Sequence, residues 1–442
     1  MSVEMKDSGI AWIGEIPKHW EVIPFKAIYS LGKGLSITKA DLVEQGVPVI
    51  SYGQIHSKQN TGTSIKDSLI RYVPESCLKE GKQSLVRYGD VIFADTSEDR
   101  EGCGNCVFVD RNYTLFAGYH TIVAKNISDY KNNYFSYLFQ TDCWRLQIRA
   151  LVNGVKLFSI SQKLLSTTTL ILPPIEEQSR IANFLDKKCA EIDELIALQE
   201  QMIAQLNTYK QAVITETVTK GLNPDVKMKD SGVEWIGEIP EHWEIKELKF
   251  ALDGLCDGTH GTFERVNHGE LLLSAKNIGD NDIIIDDNES QISFEDYKKI
   301  VANGFPKKGD VLLCCVGSIG KCCLYKEEKS IAFQRSVAFL RHNSTITSEY
   351  LMYLLKSNIM QAQYDMYARK SAQSGIYMGL IKDFIIITPN AQEQKNLADY
   401  LDQKCKEIDE LISIKKEKIE QLKAYKKSVI YEYVTGKKHI DR

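Results

Sequence analysis

Val49-Ile50-Ser51-Tyr52-Gly53-Gln54-Ile55 is matched 223 residues later by Leu272-Leu273-Ser274-Ala275-Lys276-Asn277-Ile278. Each copy is an apolar run, then a serine, then an amide side chain three residues on. A side-chain amide offers donors and an acceptor in one plane, which is the pairing an adenine edge needs. Gln54 and Asn277 are therefore the first candidates for reading a base. Polar stretches beside the same frame extend the set. In the first half they add Lys33, Lys39, Tyr52, His56, Lys58, Arg100 and Lys156. In the second half they add His260, Arg265, Lys276, Lys321, Gln334, Arg335 and Lys370. Lys and Arg suit guanine and phosphate, and hydroxyls suit phosphate.

Catalytic patterns are missing. There is no H-E-x-x-H and no G-x-S-x-G. Gly317-Ser318-Ile319-Gly320-Lys321 has two residues between its glycines and Cys322 after the lysine, whereas a phosphate loop needs four and a Ser or Thr. No N-P-P-[YF] tetrapeptide and no glycine-rich S-adenosylmethionine loop occur. Cys103 and Cys106 form a lone CxxC without the second pair that a structural zinc needs. The chain reads as a binding subunit with no catalytic residue, no metal and no cofactor of its own.

The 11 cysteines are odd in number, and Cys314-Cys315 and Cys322-Cys323 are adjacent. That fits free, mostly buried thiols in a reducing compartment. No run of about 18 apolar residues occurs, so no membrane span is expected. The N-terminus lacks a basic region followed by an apolar one, so a cytoplasmic location is expected. A net charge of −4 argues against a protein that coats nucleic acid without selectivity.

The candidate residues belong to a duplicated scaffold. Residues 5–26 return at 228–249 with 15 of 22 positions identical, including WIGEIPxHWE in both copies. LDKKCAEIDELI at 185–196 returns at 401–412 with 10 of 12 identical. Gly89-Asp90-Val91-Ile92 aligns with Gly309-Asp310-Val311-Leu312, but the surrounding residues diverge. A repeat this long marks two copies of a whole domain plus a helix. One frame with two different surfaces suits two different targets.

No Gly or Pro interrupts 175–220. Leu185, Ile192, Leu195, Leu206 and Tyr209 fall at heptad a and d positions there. Leu401, Ile408, Leu411, Leu422 and Tyr425 do the same in 391–435. About 40 residues at ~1.5 Å give a rod of roughly 60 Å. Burial of its stripe predicts two helices packed as an antiparallel coiled coil. The fold class is thus α+β, with two duplicated α/β domains alternating with two long helices. The boundaries are 1–173, 174–220, 221–389 and 390–442.

In this arrangement the chain resembles the specificity subunit of type I restriction–modification systems. The carriers are the two openings, the Gly-Asp frame, GSIGK at 317–321, and Gly258-Thr259-His260-Gly261-Thr262. The exits Leu172-Pro173-Pro174-Ile175-Glu176-Glu177-Gln178 and Thr388-Pro389-Asn390-Ala391-Gln392-Glu393-Gln394 complete the set. GSIGK is missing from the first domain. The resemblance implies that each variable region is a target recognition domain reading half of a bipartite, asymmetric site in double-stranded DNA. The helices then act as a ruler and as a dock for modification (methyltransferase) subunits, and restriction motor-nuclease subunits join them. S-adenosylmethionine, ATP and Mg would be used by those partners. Two alternatives stay open: a protein-binding coiled-coil scaffold, and the specificity subunit of a type II-like two-subunit system.

Overall fold

The computed structural model describes residues 4–154, 156–368 and 375–440; Lys370 lies outside them. The chain forms two units, Met1–Leu198 with Lys418–Arg442, and Gln199–Glu417. Each contains one α/β domain, the start of the long helix that follows it and the end of the other long helix.

Both units carry the same pair of sheets. In the first, an antiparallel sheet runs Cys106–Phe108, Val91–Ala94, Thr121–Asn126, Tyr29–Lys33. In the second, Cys322–Leu324, Val311–Cys314, Val337–His342 and Leu252–Asp257 take those places. The partner sheet is built on a parallel pair, Val47–Ile50 with Leu115–Ala117 and Glu270–Leu273 with Ala332–Phe333. Val91–Ala94 and Val311–Cys314 are buried at every position. The aspartate that opens each explains the repeated Gly-Asp. Asp90 accepts the Arg87 and Asn126 amides at 3.0 and 2.8 Å. Asp310 accepts the Lys307 amide at 2.7 Å and pairs through both oxygens with Arg341 at 2.8 Å.

The repeated openings and exits form one ribbon in each unit. Glu21–Pro24 pairs antiparallel with Thr169–Leu172, and Glu244–Glu247 with Ile385–Thr388. Gln178 and Gln394 each donate to the carbonyl five residues back, Pro173 and Pro389, at 2.8 Å. That bond turns the strand into the helix. Trp20 and Trp243 are fully buried, while Trp12 and Trp235 remain exposed.

The long helices run Ile175–Lys220 and Ala391–Val434. Within the first unit, Asp193 pairs with Lys426 at 2.7 Å, and the Phe184 and Tyr433 rings lie 4.4 Å apart. Within the second, Lys210 meets Asp409 at 2.7 Å. Ascending numbers on one helix meet descending numbers on the other, so the packing is antiparallel. Left-handed glycines follow both helices, Gly221 (φ 77°) and Gly436 (φ 69°). A Cβ at Gly436 would stand 2.3 Å from Pro17 Cδ, so the bend needs glycine on two counts.

The heptad assignment needs correction. Leu185, Ile192, Leu401 and Ile408 are buried, and Leu206 and Leu422 are half-buried. Leu195, Tyr209, Leu411 and Tyr425 are instead about half exposed, at 47%, 53%, 47% and 50%. A two-helix pair buries only a narrow seam, and the recognition domain covers a further part of each helix start. The d positions beyond those two contacts face outward. All 11 cysteines are free, nine of them buried, and burial pushes Cys314, Cys315 and Cys322 up to about 12.

Ile192→Ala and Ile408→Ala should each cost about 2–5 kcal/mol of stability. Leu195→Ala and Leu411→Ala should stay within about 0.5 kcal/mol. Urea unfolding followed by far-ultraviolet circular dichroism measures both; equal losses at all four positions would restore the original seam.

Candidate nucleic-acid interface

In the second unit, three segments meet at the end of the parallel strand pair. The Gln334 amide donates to Leu273 O at 2.8 Å, Thr259 N to Phe333 O at 2.8 Å, and Arg335 N to Thr259 O at 3.0 Å. Ala275 N donates to Ser336 Oγ at 3.0 Å. This weave brings His260, Lys276, Gln334 and Arg335 onto one rim. Lys321 joins through its carbonyl, which accepts from Cys314 N at 2.8 Å, while Cys314 Sγ reaches Ala275 O at 3.6 Å. His260 is paired with Asp257 at 2.8 Å, and Arg335 is exposed. Arg265 lies apart, beside Val266, which bonds Gln291 on the far side of the small sheet.

Asn277 must be withdrawn as a base reader. It is 1% exposed, and its amide is committed. Oδ1 accepts Ser274 N at 2.9 Å; Nδ2 donates to Ile284 O at 3.0 Å and to Glu289 Oε1 at 2.7 Å. The repeated Ser-x-x-amide is a capping box that closes the turn after the strand. Gln54 plays the same part, its Oε1 accepting Ser51 N at 3.1 Å, but it is half-buried and its Nε2 has no hydrogen-bond partner among the described residues.

In the first unit the equivalent weave joins Gly118 N to Ile50 O at 2.7 Å, Gly34 N to Thr121 O at 3.1 Å and Tyr52 N to Tyr119 O at 3.3 Å. A Cβ on Gly34 would stand 2.0 Å from Gly118 O, so only glycine admits this approach. Lys33, Tyr52, Gln54 and His56 gather here, with exposed Lys58 close behind in sequence. Arg100 stands on the adjoining loop, its guanidinium 5.9 Å from the Phe158 ring, and exposed Lys156 precedes that ring by two residues. Lys39 lies apart, on a short helix leading to Val43, which bonds the edge strand at Tyr72.

His56 is also corrected: both ring nitrogens are spent. Arg145, always a donor, bonds Asn105 Oδ1 at 2.7 Å. This turns Asn105 Nδ2 toward His56 Nδ1 at 3.1 Å, so His56 carries its proton on Nε2 and donates to Thr96 O at 2.8 Å. His56 braces the wall of a cleft of about 640 Å³. Sequence reasoning missed other residues lining it, including His120, Asn105 and the acids Glu98, Asp99 and Glu101. His120 holds the non-glycine left-handed conformation (φ 52°), with its ring 5.4 Å from Tyr52 and Nδ1 3.3 Å from Asp95. Such a strained residue persists where the surroundings fix it and often marks a site. The one signal available was loop length. Ten residues separate Ala94 from Asn105, and six separate Cys314 from Lys321.

The model of the type I restriction modification DNA specificity domain matches residues 17–208 and 273–424. The chain belongs to this family. The specificity subunit of the type I restriction enzyme MjaVIII from Methanocaldococcus jannaschii is 29% identical over 299 residues, 66% of this chain and 67% of that one. The putative MjaX specificity subunit from the same organism is 24% identical over 96% of this chain and 95% of its own length. A solved chain from work on assembly and conformational transition of the type I R-M system superimposes with a TM-score of 0.69 at 18% identity, covering 95% of this chain and 99% of that one. Its likeness is one of fold. Among the described residues no helix is long and apolar enough to cross a membrane.

Glu289 is buried against the second rim. The Lys276 ammonium at 2.9 Å, and then the Asn277 amide, hold its carboxyl below the usual glutamate range. A depressed folded-state pKa gives stability that is present above the unfolded value, about 4.3, and is lost as pH falls through the folded one. Asn277→Ala should cost about 1–3 kcal/mol by stranding Glu289 and the Ile284 carbonyl. Glu289→Gln should flatten the loss of stability below pH 4.5 relative to the parent. Denaturation midpoints across pH 3.5–7 check both, and a neutral Asn277→Ala would return that residue to the rim.

Proposed function

We infer that this chain reads a bipartite, asymmetric site in double-stranded DNA, one half through each recognition domain, and hands it to catalytic partners. The carrying observation is that equivalent backbone weaves present unlike side chains. Gln334, Arg335, Lys276 and Lys321 face out in one domain, and Lys33, Tyr52, Gln54 and Arg100 in the other. Arg and Lys on the second rim suit guanine O6 and N7, and Gln54 Nε2 suits a base acceptor. Lys58, Lys156 and His260 serve as phosphate contacts. The chain supplies selection and no chemistry. Modification subunits bring S-adenosylmethionine and methylate adenine N6; flipping the base belongs to the enzyme whose pocket receives it. Motor-nuclease subunits bring ATP and Mg, and the assembly works in the cytoplasm.

The outward heptad residues supply the docking surface. In the first unit the Asp193–Lys426 register sets Leu195 alongside Tyr425, with Leu198 one turn on. In the second, Lys210–Asp409 sets Leu411 alongside Tyr209, with Ile414 one turn on. The trios match residue for residue in type, Leu, Leu/Ile and Tyr. Two like patches suit two copies of one partner, a modification subunit on each.

Sequencing of N6-methyladenine in the host genome, with and without this gene, should show a bipartite motif that vanishes on deletion. A motif that persists would refute the assignment. In the reconstituted complex, Leu195→Asp with Tyr425→Asp should cost one modification subunit by native mass spectrometry, while both stay bound if the patches are idle.

A further inference from the structure

The cleft of the first recognition domain has a chemistry that the second domain lacks. We propose that it takes the amine-bearing edge of a base, adenine N6 or cytosine N4, and so decides what the first half-site must contain. This rests on the DNA-specificity reading above.

A volume of about 640 Å³ is in the range of small-molecule sites. One wall is aromatic, with the Tyr52 ring 5.4 Å from His120 and 5.6 Å from Tyr119. The other wall is the loop that is four residues longer than its counterpart. The two loops are equivalent because Ala94 N bonds Asn105 O at 3.0 Å where Cys314 N bonds Lys321 O at 2.8 Å.

Hydrogen-bond accounting sets the ligand. The donors of His56 and Asn105 are consumed inside the wall, and the Thr96 hydroxyl donates to Asp95 at 2.7 Å. Asp99 accepts Gly102 N at 2.6 Å, while the carboxylates of Glu98 and Glu101 have no hydrogen-bond partner among the described residues. All three acids line the cleft. Ser97 also lines it and is 3% exposed. It accepts Asp99 N at 3.4 Å, and its own hydroxyl hydrogen has no acceptor among the described residues. The free capacity is therefore the Glu98 and Glu101 carboxylates beside the buried Ser97 hydroxyl, with the Tyr52 hydroxyl and His120 Nε2, which also have no hydrogen-bond partner among the described residues, on the aromatic wall.

Carboxylates repel phosphate, so this loop is no backbone clamp. They also repel guanine O6 and thymine O4. The exocyclic amines of adenine and cytosine are the only donors in the major groove. Adenine adds N7, an acceptor that the Ser97 hydroxyl could satisfy. In the second domain the loop is Gly317-Ser318-Ile319-Gly320 and the rim holds Lys276, Lys321 and Arg335. The first rim thus adds acceptors to the donors Lys33, Gln54 and Arg100, and the second offers mainly donors.

The test uses the full chain in complex with its modification subunits, on duplexes carrying the motif found by methylation sequencing. Glu98 and Glu101 are exposed, so Glu98→Gln with Glu101→Gln leaves the fold intact. The double variant should bind the cognate duplex roughly 10- to 100-fold more weakly, as loss of one good base contact does. Affinity for a random duplex should hold or rise, and second-half-site preference should not change. In the parent, purine for adenine or 2-pyrimidinone for cytosine in the first half-site removes the amine alone. A matching loss with one of them names the base. An equal gain on every duplex, an unchanged first half-site, or no loss with either analogue overturns the proposal. A parent complex with no bipartite preference at all would sink the DNA reading itself.

Discussion

Everything in this molecule depends on burying the ends of two long helices. A helix terminus exposes carbonyls without partners, and a helix of this length needs an apolar seam to persist. Each unit packs the helices against its own core and caps a helix end with one tyrosine. Tyr134 donates to Val434 O at 2.8 Å, and Tyr350 shares its hydroxyl hydrogen between Val218 O at 3.3 Å and Ile387 O at 3.2 Å. The start of the helix is held by the next tyrosine on the same face, Tyr137 to Asp186 at 2.7 Å and Tyr353 to Asp402 at 2.6 Å. Each recognition domain thus grips the beginning of the helix that follows it and the end of the other one. The duplicated openings serve the same contact: Trp20 lies under Gly436 and Trp243 under Gly221.

That clamp frees the rims to differ. The buried strands, the aspartate turns, the capping boxes and the Gln hinges use up the polar groups that the repeat keeps constant. Gln147 and Gln363 show the economy: each bonds the strand that leads to its helix, at Thr169 and Ile385, through both ends of its amide. What remains at the end of the parallel pair is a set of mostly exposed side chains whose ties to the fold are few, such as Lys276 on Glu289 and His260 on Asp257. The first domain sets an acidic loop and an aromatic wall beside Lys33 and Arg100, the second mainly cations. Selectivity can change there at little cost in stability.

Much of this was legible in the residues. Two long repeats at fixed offsets gave the duplication, and uninterrupted polar-apolar periodicity gave the helices. Leu185, Ile192, Leu401 and Ile408 were readable as seam positions because they recur every seven residues and the flanking positions are charged. Leu195, Tyr209, Leu411 and Tyr425 have the same spacing and face outward. Periodicity states which residues share a stripe, but not how many neighbours a stripe has. Asn277 shows the same limit for polar groups. A repeated amide beside a strand reads equally as a ligand contact or as a cap, and only its partners, Ser274, Ile284 and Glu289, decide between them.

The sequence by itself determined the duplicated architecture, the absence of catalytic motifs and the family, because these rest on order, period and residue type along the chain. The tertiary structure decided which polar groups are spent. It committed Asn277 and His56 to the fold, sent half of the heptad leucines and tyrosines outward, and closed Tyr52, Ser97, Glu98 and His120 around one cleft. Those residues span positions 52 to 120 of the chain, and no local rule joins them. Hydrogen-bond capacity is settled by what stands within 3 Å in space, and that is fixed only when the sheets close.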